Sequence, residues 1–186
     1  MKPRRCTICR KPATQGNAVN AWCSHEHAIE LIERNRAKQA KRQAKIERAT
    51  TRKAKEAAKG RATLKAEAQA AVNAFVRARD AGKPCISCGR PDDGQHQRHA
   101  GHWKTTKARP DIRFDPANIH AQCYQCNVHG GGGIHPGYLP ELTARIGNLE
   151  VDRLTRVQTI KHTDDDLRHI RDTYRKAARE LLRRAA

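Results

Sequence analysis

The sequence predicts a small, helix-rich α+β protein stapled by two zinc modules. Three observations carry that prediction. Seven cysteines fall into two groups, Cys6/Cys9/Cys23 and Cys85/Cys88/Cys123/Cys126. A stretch of more than fifty residues contains one glycine and no proline. Hydrophobic residues make up 37% of the chain and aromatics 4%, too few for one large core, so small modules need a staple. An odd number of cysteines argues against a closed disulfide framework and for metal ligation.

Charge narrows the partners. Lys and Arg number 38 against 19 acids, a formal charge of +19, with an isoelectric point near 10.3. Such an excess predicts a polyanionic partner, and DNA is favoured over a membrane. No apolar run approaches the roughly 20 residues that span a bilayer. The opening MKPRRCTICR has no apolar core of the signal-peptide kind, so a cytoplasmic location is expected.

Residues 1–28 read as an N-terminal zinc knuckle. Cys6, Cys9 and Cys23 supply three ligands, and His27 or His25 the fourth. His27 is preferred because Cys23-x₃-His27 spans one helical turn. Residues 29–66 form a basic arm or linker rich in helix formers. Between Arg34 and Lys65 its basic residues are Arg34, Arg36, Lys38, Lys41, Arg42, Lys45, Arg48, Arg52, Lys53, Lys55, Lys59, Arg61 and Lys65, opposed there by Glu47 and Glu56 alone. With only Ile46 and Leu64 as large apolar residues in that stretch, it has no coiled-coil seam. A solvated helix, or an arm that orders on DNA, is expected, with a plain charged spacer as the alternative.

Residues 67–139 hold the densest chemistry. Leu64, Ala68, Ala71, Val72, Phe75 and Val76 recur at helical spacing, and Gly82 and Pro84 stop the helix. Cys85/Cys88 and Cys123/Cys126 complete a second zinc sphere, and the 34 residues between the pairs must fold as an element. That insert carries His96, His99, His102, Asn118 and His120, and Asn127 and His129 follow it. Phosphodiester hydrolysis needs a base near neutral pKa and a cation at the leaving oxygen. A histidine strand, a central asparagine and a short helix carrying the last ligand is the order of an HNH, or ββα-metal, centre. His102 and Asn127 are the foremost candidates; His96, His135 and His162 read as loop or surface residues, and His120 as functional or packed. Gly130–Gly133 would stop the short helix and let backbone approach a phosphate.

Residues 140–186 read as a helical region. Leu142, Ile146 and Leu149 share a face, and Thr163 with Asp166 forms a capping box. The last helix has an apolar stripe of Leu167, Ile170, Tyr174, Ala177 and Leu181. Its basic residues, Arg171 among them, are either a DNA-facing surface or a solvated face.

The motifs Trp22-Cys23-Ser24-His25-Glu26-His27, AVNAFVRARD, PCISCG, AGHWKTT, Ile112-Arg113-Phe114, NIHAQCYQCN-x-H and ELTARIG occur in order over nearly the whole chain. In this it resembles the NinG (Rap) family of lambdoid phage recombination endonucleases, and more loosely the endonuclease VII-type junction resolvases. The resemblance implies a phage-encoded enzyme of the bacterial cytoplasm that cuts four-way junctions and displacement loops with Mg2+ or Mn2+. It implies His102 as general base, His99 (where aspartate is expected) and Asn127 as catalytic-metal ligands, and His129 near the scissile phosphate. DNA contacts are expected from Arg34, Arg36, Lys38, Lys41, Arg42, Lys45, Arg48, Arg52, Lys53, Lys55, Lys104 and Lys107. A homodimer fits two nicks across a two-fold junction. The rival reading is a non-catalytic zinc-finger protein that binds nucleic acid.

Overall fold

The computed structural model describes residues 4–17, 20–96 and 98–185. They form two compact units, Met1–Lys59 and Gly60–Ala186. In the first, a knuckle at residues 6–10 precedes the antiparallel pair β1 (Gln15–Gly16) and β2 (Ala21–Trp22). The Thr7 amide donates to the Ala21 carbonyl at 2.8 Å and fastens the knuckle to the hairpin. Ser24, in extended backbone, then caps α1 (His25–Ala57) by accepting the His27 amide. The basic segment as far as Ala57 is one helix of 33 residues, about 50 Å long at 1.5 Å per residue, and Lys59, Arg61 and Lys65 lie beyond it. Strong helix formers sustain it, since Leu31 alone on it is buried.

The second unit opens with α2 (Arg61–Arg79), which begins at Gly60. The expected boundary between 66 and 67 therefore falls inside a helix, because Gly60 is the one break in helix propensity. The apolar stripe of α2 is buried as its spacing requires: Leu64, Ala68, Val72 and Val76 pack with Phe114, Ile119 and Leu167, and Phe75 and Tyr174 flank them. β3 (His99–His102) pairs antiparallel with β4 (Ile119–Gln122), His99 opposite Gln122 and His102 opposite Ile119. A second cluster joins Ile86, Trp103 and Ile112 to Tyr138 and Leu142 of α3 (Tyr138–Ile146) and to Val151 and Leu154 of α4 (Asn148–Thr155). α5 (Asp164–Ala185) runs along α2. Its capping box forms as read: the Asp166 amide donates to Thr163 Oγ1 at 3.1 Å and the Thr163 amide to Asp166 Oδ2 at 2.7 Å.

Four expectations change. Leu149 does not share the face of Leu142 and Ile146: Gly147, at φ +81°, breaks the helix, and Leu149 is 88% exposed while Val151 and Leu154 go inside. On α5 it is Ala178, not Ala177, that is buried. Arg171 belongs to no exposed basic face; it is buried against Glu67 at 2.9 Å and Asp172 at 2.7 Å. His162 is not a bare surface residue, since its ring packs edge-on against Phe114.

One carboxylate joins α2, β4 and the segment before the second knuckle. Asp80, 1% exposed, accepts from Arg79 Nε and Nη2 at 2.9 and 2.7 Å, from Lys83 Nζ at 3.2 Å and from the Ala121 amide at 3.0 Å. Arg79 also donates to the carbonyls of Pro116 and Ile119. Burial raises the carboxyl's pKa, but His120, Arg79 and the Ala121 amide outweigh it and hold it well below the usual carboxylate range. A depressed folded pKa gives stability that is present above the unfolded value of about 3.9 and is lost as pH falls below it. Asp80→Asn should cost about 3 kcal/mol in a denaturant melt of the metal-loaded protein. The gap to wild type should stay flat from about pH 8 to 5 and close below about pH 4.

Candidate metal centres and active site

The first cluster gathers Cys6, Cys9, Cys23 and His27, whose ligand atoms all lie within 4.8 Å of one another. Cys9 and Cys23 sulfurs are 3.4 Å apart, and His27 Nδ1 is 3.2 Å from Cys23 and 3.7 Å from Cys6. The fourth ligand position is thus occupied by His27 and not His25, as the one-turn spacing on α1 requires. The amide of Cys9, helped by those of Ile8 and Cys23, lowers the Cys6 thiol to about 6 against burial. Hydrogen bonding to Cys9, with burial, raises Cys23 to about 11.

Cys85, Cys88, Cys123 and Cys126 form the second cluster within the same 4.8 Å limit. Burial raises Cys85, but the amides of Cys123, Cys88 and Ser87 prevail and bring it to about 7. Burial raises Cys123 and Cys126. Soft sulfur and imidazole donors at this spacing, with amides directed at sulfur, suit zinc, and each cluster could bind one ion as a structural site with no open position.

The two leading knuckles share a backbone that their sequence spacing does not advertise. Arg10 and Gly89, each just after the second cysteine, take left-handed conformations at φ 66° and 68°. The Cys6 and Cys85 amides donate to the carbonyls of Lys11 and Arg90, and the Arg10 and Gly89 amides to those of Cys6 and Cys85. Glycine suits that conformation; at the first knuckle arginine holds it at a cost of about 1 kcal/mol.

Between Tyr124 and Gly130 the chain makes one wide helical turn, Gln125–His129. Cys126 anchors it, and Asn127 reaches across to β3, where its Nδ2 lies 3.0 Å from His99 Nδ1. Tyr124 makes T-shaped ring contacts with both His99 and His129, with ring centroids 5.5 and 5.3 Å apart. His99, Asn127 and His129 are therefore brought to one place. Gln122 supports it, donating to Ser87 Oγ at 2.7 Å and the Gly132 carbonyl at 3.0 Å. Gly133 serves a close approach of protein backbone: a Cβ there would lie 1.9 Å from the Trp103 carbonyl oxygen.

His102 is not brought to that place. Strand alternation puts residues three apart on opposite faces of β3, and Ala100, which shares the His102 face, packs on the core formed with α2. His102 Nε2 lies 3.2 Å from the Arg113 carbonyl and 3.4 Å from Gln69 Nε2. Burial lowers its pKa, the Arg113 guanidinium adds to that, and the Arg113 and Ala100 carbonyls offset part of it, so the ring is neutral at neutral pH. Asn118, fully buried, accepts the Lys104 amide at 2.9 Å and donates to the carbonyls of Lys104 and Ile112. It fixes the loop after β3. His120 is packed, within hydrogen-bond reach of Arg79 Nη2 and the Ala117 carbonyl. Lys104 lies over the Trp103 ring at 4.3 Å, Lys107 is exposed, and so is every basic residue named on the arm from Arg34 to Lys55. Sequence reading passed over Tyr124, Gln122 and Gln69; only Tyr124 had a signal, an aromatic inside a Cys-x-x-Cys pair.

Elemental analysis of the purified protein should return two zinc ions per chain. Cys126→Ser should reduce that to one, and a strong chelator should unfold the second unit, because ligand binding supplies much of the folding free energy of such modules.

The family model for "Bacteriophage Lambda NinG protein" matches residues 1–184. "Protein ninG" of Escherichia phage lambda is 36% identical over 194 residues, covering 96% of this chain and 93% of the relative. That of Escherichia phage 933W is 35% identical over 192 residues with the same coverage. That of Enterobacteria phage H19B is 40% identical over 162 residues, covering 81% and 79%. No solved structure matches. No helix among the described residues is long and apolar enough to cross a membrane. The chain belongs to the NinG family.

Proposed function

We propose that this protein is a divalent-metal-dependent endodeoxyribonuclease acting on branched recombination intermediates, four-way junctions and displacement loops. One observation carries the reading: His99 and Asn127 converge from a β-hairpin and the turn after it, beside a four-cysteine cluster that fixes the turn. A pure binding module has no need of that pair. One imidazole and one amide suit an ion that keeps most of its water, and the nitrogen donor favours Mn2+ over Mg2+. Such an ion stabilises the leaving oxyanion when bound.

The base is assigned to His102 on its order in the sequence and its neutral ring, not on proximity. To act, the ring must leave the Arg113 carbonyl and turn to the unpaired edge of β3 in this two-stranded sheet. His129, exposed and sharing Tyr124 with His99, is the alternative base. With labelled four-way junction and Mn2+, His102→Ala should lower the cutting rate by about 10²–10⁴ and leave affinity within a few-fold. Loss on His129→Ala with His102→Ala unaffected would move the base. No cutting by wild type with any divalent ion would sink the enzyme reading and leave a zinc-stapled DNA-binding protein.

The exposed arm residues supply affinity in this reading. Each phosphate neutralised contributes about −0.9 to the slope of log affinity on log salt. If half of the thirteen basic residues from Arg34 to Lys65 reach phosphates, reversing their charges should flatten the slope by about 5, equally for junction and duplex. An unchanged slope would make the segment a spacer.

A further inference from the structure

Tyr124 stands where no packing argument puts an aromatic. The chain has two Trp, three Tyr and two Phe, all among the described residues. Six of these are buried or half-buried; Tyr124 alone is exposed, at 55%. Val128, one turn on, is 50% exposed. The Tyr124 ring makes T-shaped contacts with the rings of His99 and His129, at interplanar angles of 81° and 70°. Its flanking cysteines, Cys123 and Cys126, belong to a cluster that immobilises the backbone beneath it. The result is a half-exposed aromatic ring on an anchored backbone, in contact with two imidazoles and beside the His99–Asn127 pair.

We propose that Tyr124 is the specificity-determining residue of this site and receives the face of an unpaired nucleobase at a DNA branch point. The inference rests on the nuclease reading only for the class of ligand. Stacking on an aromatic ring needs a base with a free face, which an intact duplex does not offer and a branch point, bubble or strand end does. An aromatic platform is tolerant of base identity, because every base has a π-face. Phosphate contacts from exposed lysine and arginine cannot make this distinction, since they bind any backbone alike. Preordering helps: a side chain already fixed by two ring contacts loses little freedom when a base settles on it.

The test measures binding and not cutting, so its failure is separable from failure of the nuclease reading. Full-length, zinc-loaded protein without added Mg2+ or Mn2+ is titrated into a four-way junction carrying 2-aminopurine at the branch, and into the matched linear duplex. Wild type and Tyr124→Phe should both change the 2-aminopurine fluorescence and prefer the junction. Tyr124→Ala and Tyr124→Leu should lose the fluorescence change and about ten- to hundred-fold in junction affinity, with duplex affinity within two-fold. Zinc content of two per chain checks that the variants fold; Lys107→Ala, as a control, should weaken both substrates alike. Equal losses on junction and duplex in Tyr124→Ala and Tyr124→Leu would overturn the proposal. A loss in Tyr124→Phe as large as in Tyr124→Ala would also overturn it, by placing the function in the hydroxyl.

Discussion

The second unit depends on four sulfurs held within 4.8 Å of one another. That many thiolates cannot coexist at such spacing without a cation, and the protein's own electrostatics show the conflict. Backbone amides bring Cys85 down to about 7, whereas burial and the neighbouring sulfurs raise Cys126. A divalent soft-metal ion resolves it by letting all four ionise together. What hangs on this is specific. Cys123 directly follows β4, Cys126 lies in the turn that carries Asn127, and Cys85 Sγ accepts the Cys123 amide at 3.3 Å. Release of the ion would leave a five-residue turn with few apolar contacts to hold Asn127 against His99.

The opposite side of the hairpin is fixed by charge. Asp80 and Arg79 together bind two segments of β4, the carbonyl of Pro116 and the Lys83 ammonium. A chain of net charge +19 thus spends several of its acids inside: Asp80, Asp111 with Arg109, and Glu67 with Arg171. Buried guanidiniums need such partners, because an unpaired buried charge is far costlier than a paired one. The arm is left with almost none.

Sequence read best where one local rule decides the outcome. The α2 stripe, the Thr163/Asp166 capping box and the His27 position all follow from helical period or cap chemistry within a few residues. It read worst where two rules compete. Leu149 kept the period of the preceding helix, but Gly147 ended that helix and reset the phase. Arg171 lies among exposed arginines in sequence, and only the packing of α5 on α2 brings Glu67 to it. The likeness of the two knuckles was hidden because Arg10 stands where Gly89 stands. The order His99, His102, Asn127 was legible, but a strand period of two separates residues three apart.

That separation bears on how a site of this kind can be selective. Dispersed lysines and arginines raise affinity for every nucleic acid equally, so they add nothing to the difference between a junction and a duplex. The difference must come from a group that one substrate can satisfy and the other cannot. In the proposed nuclease a histidine and an asparagine at the scissile phosphate would not qualify, since a phosphodiester looks much the same in either. An apolar ring does, because intact stacking withholds the surface it needs. In a protein that places five of its seven aromatics in or against its cores, the exposed Tyr124 makes ring contacts with both His99 and His129.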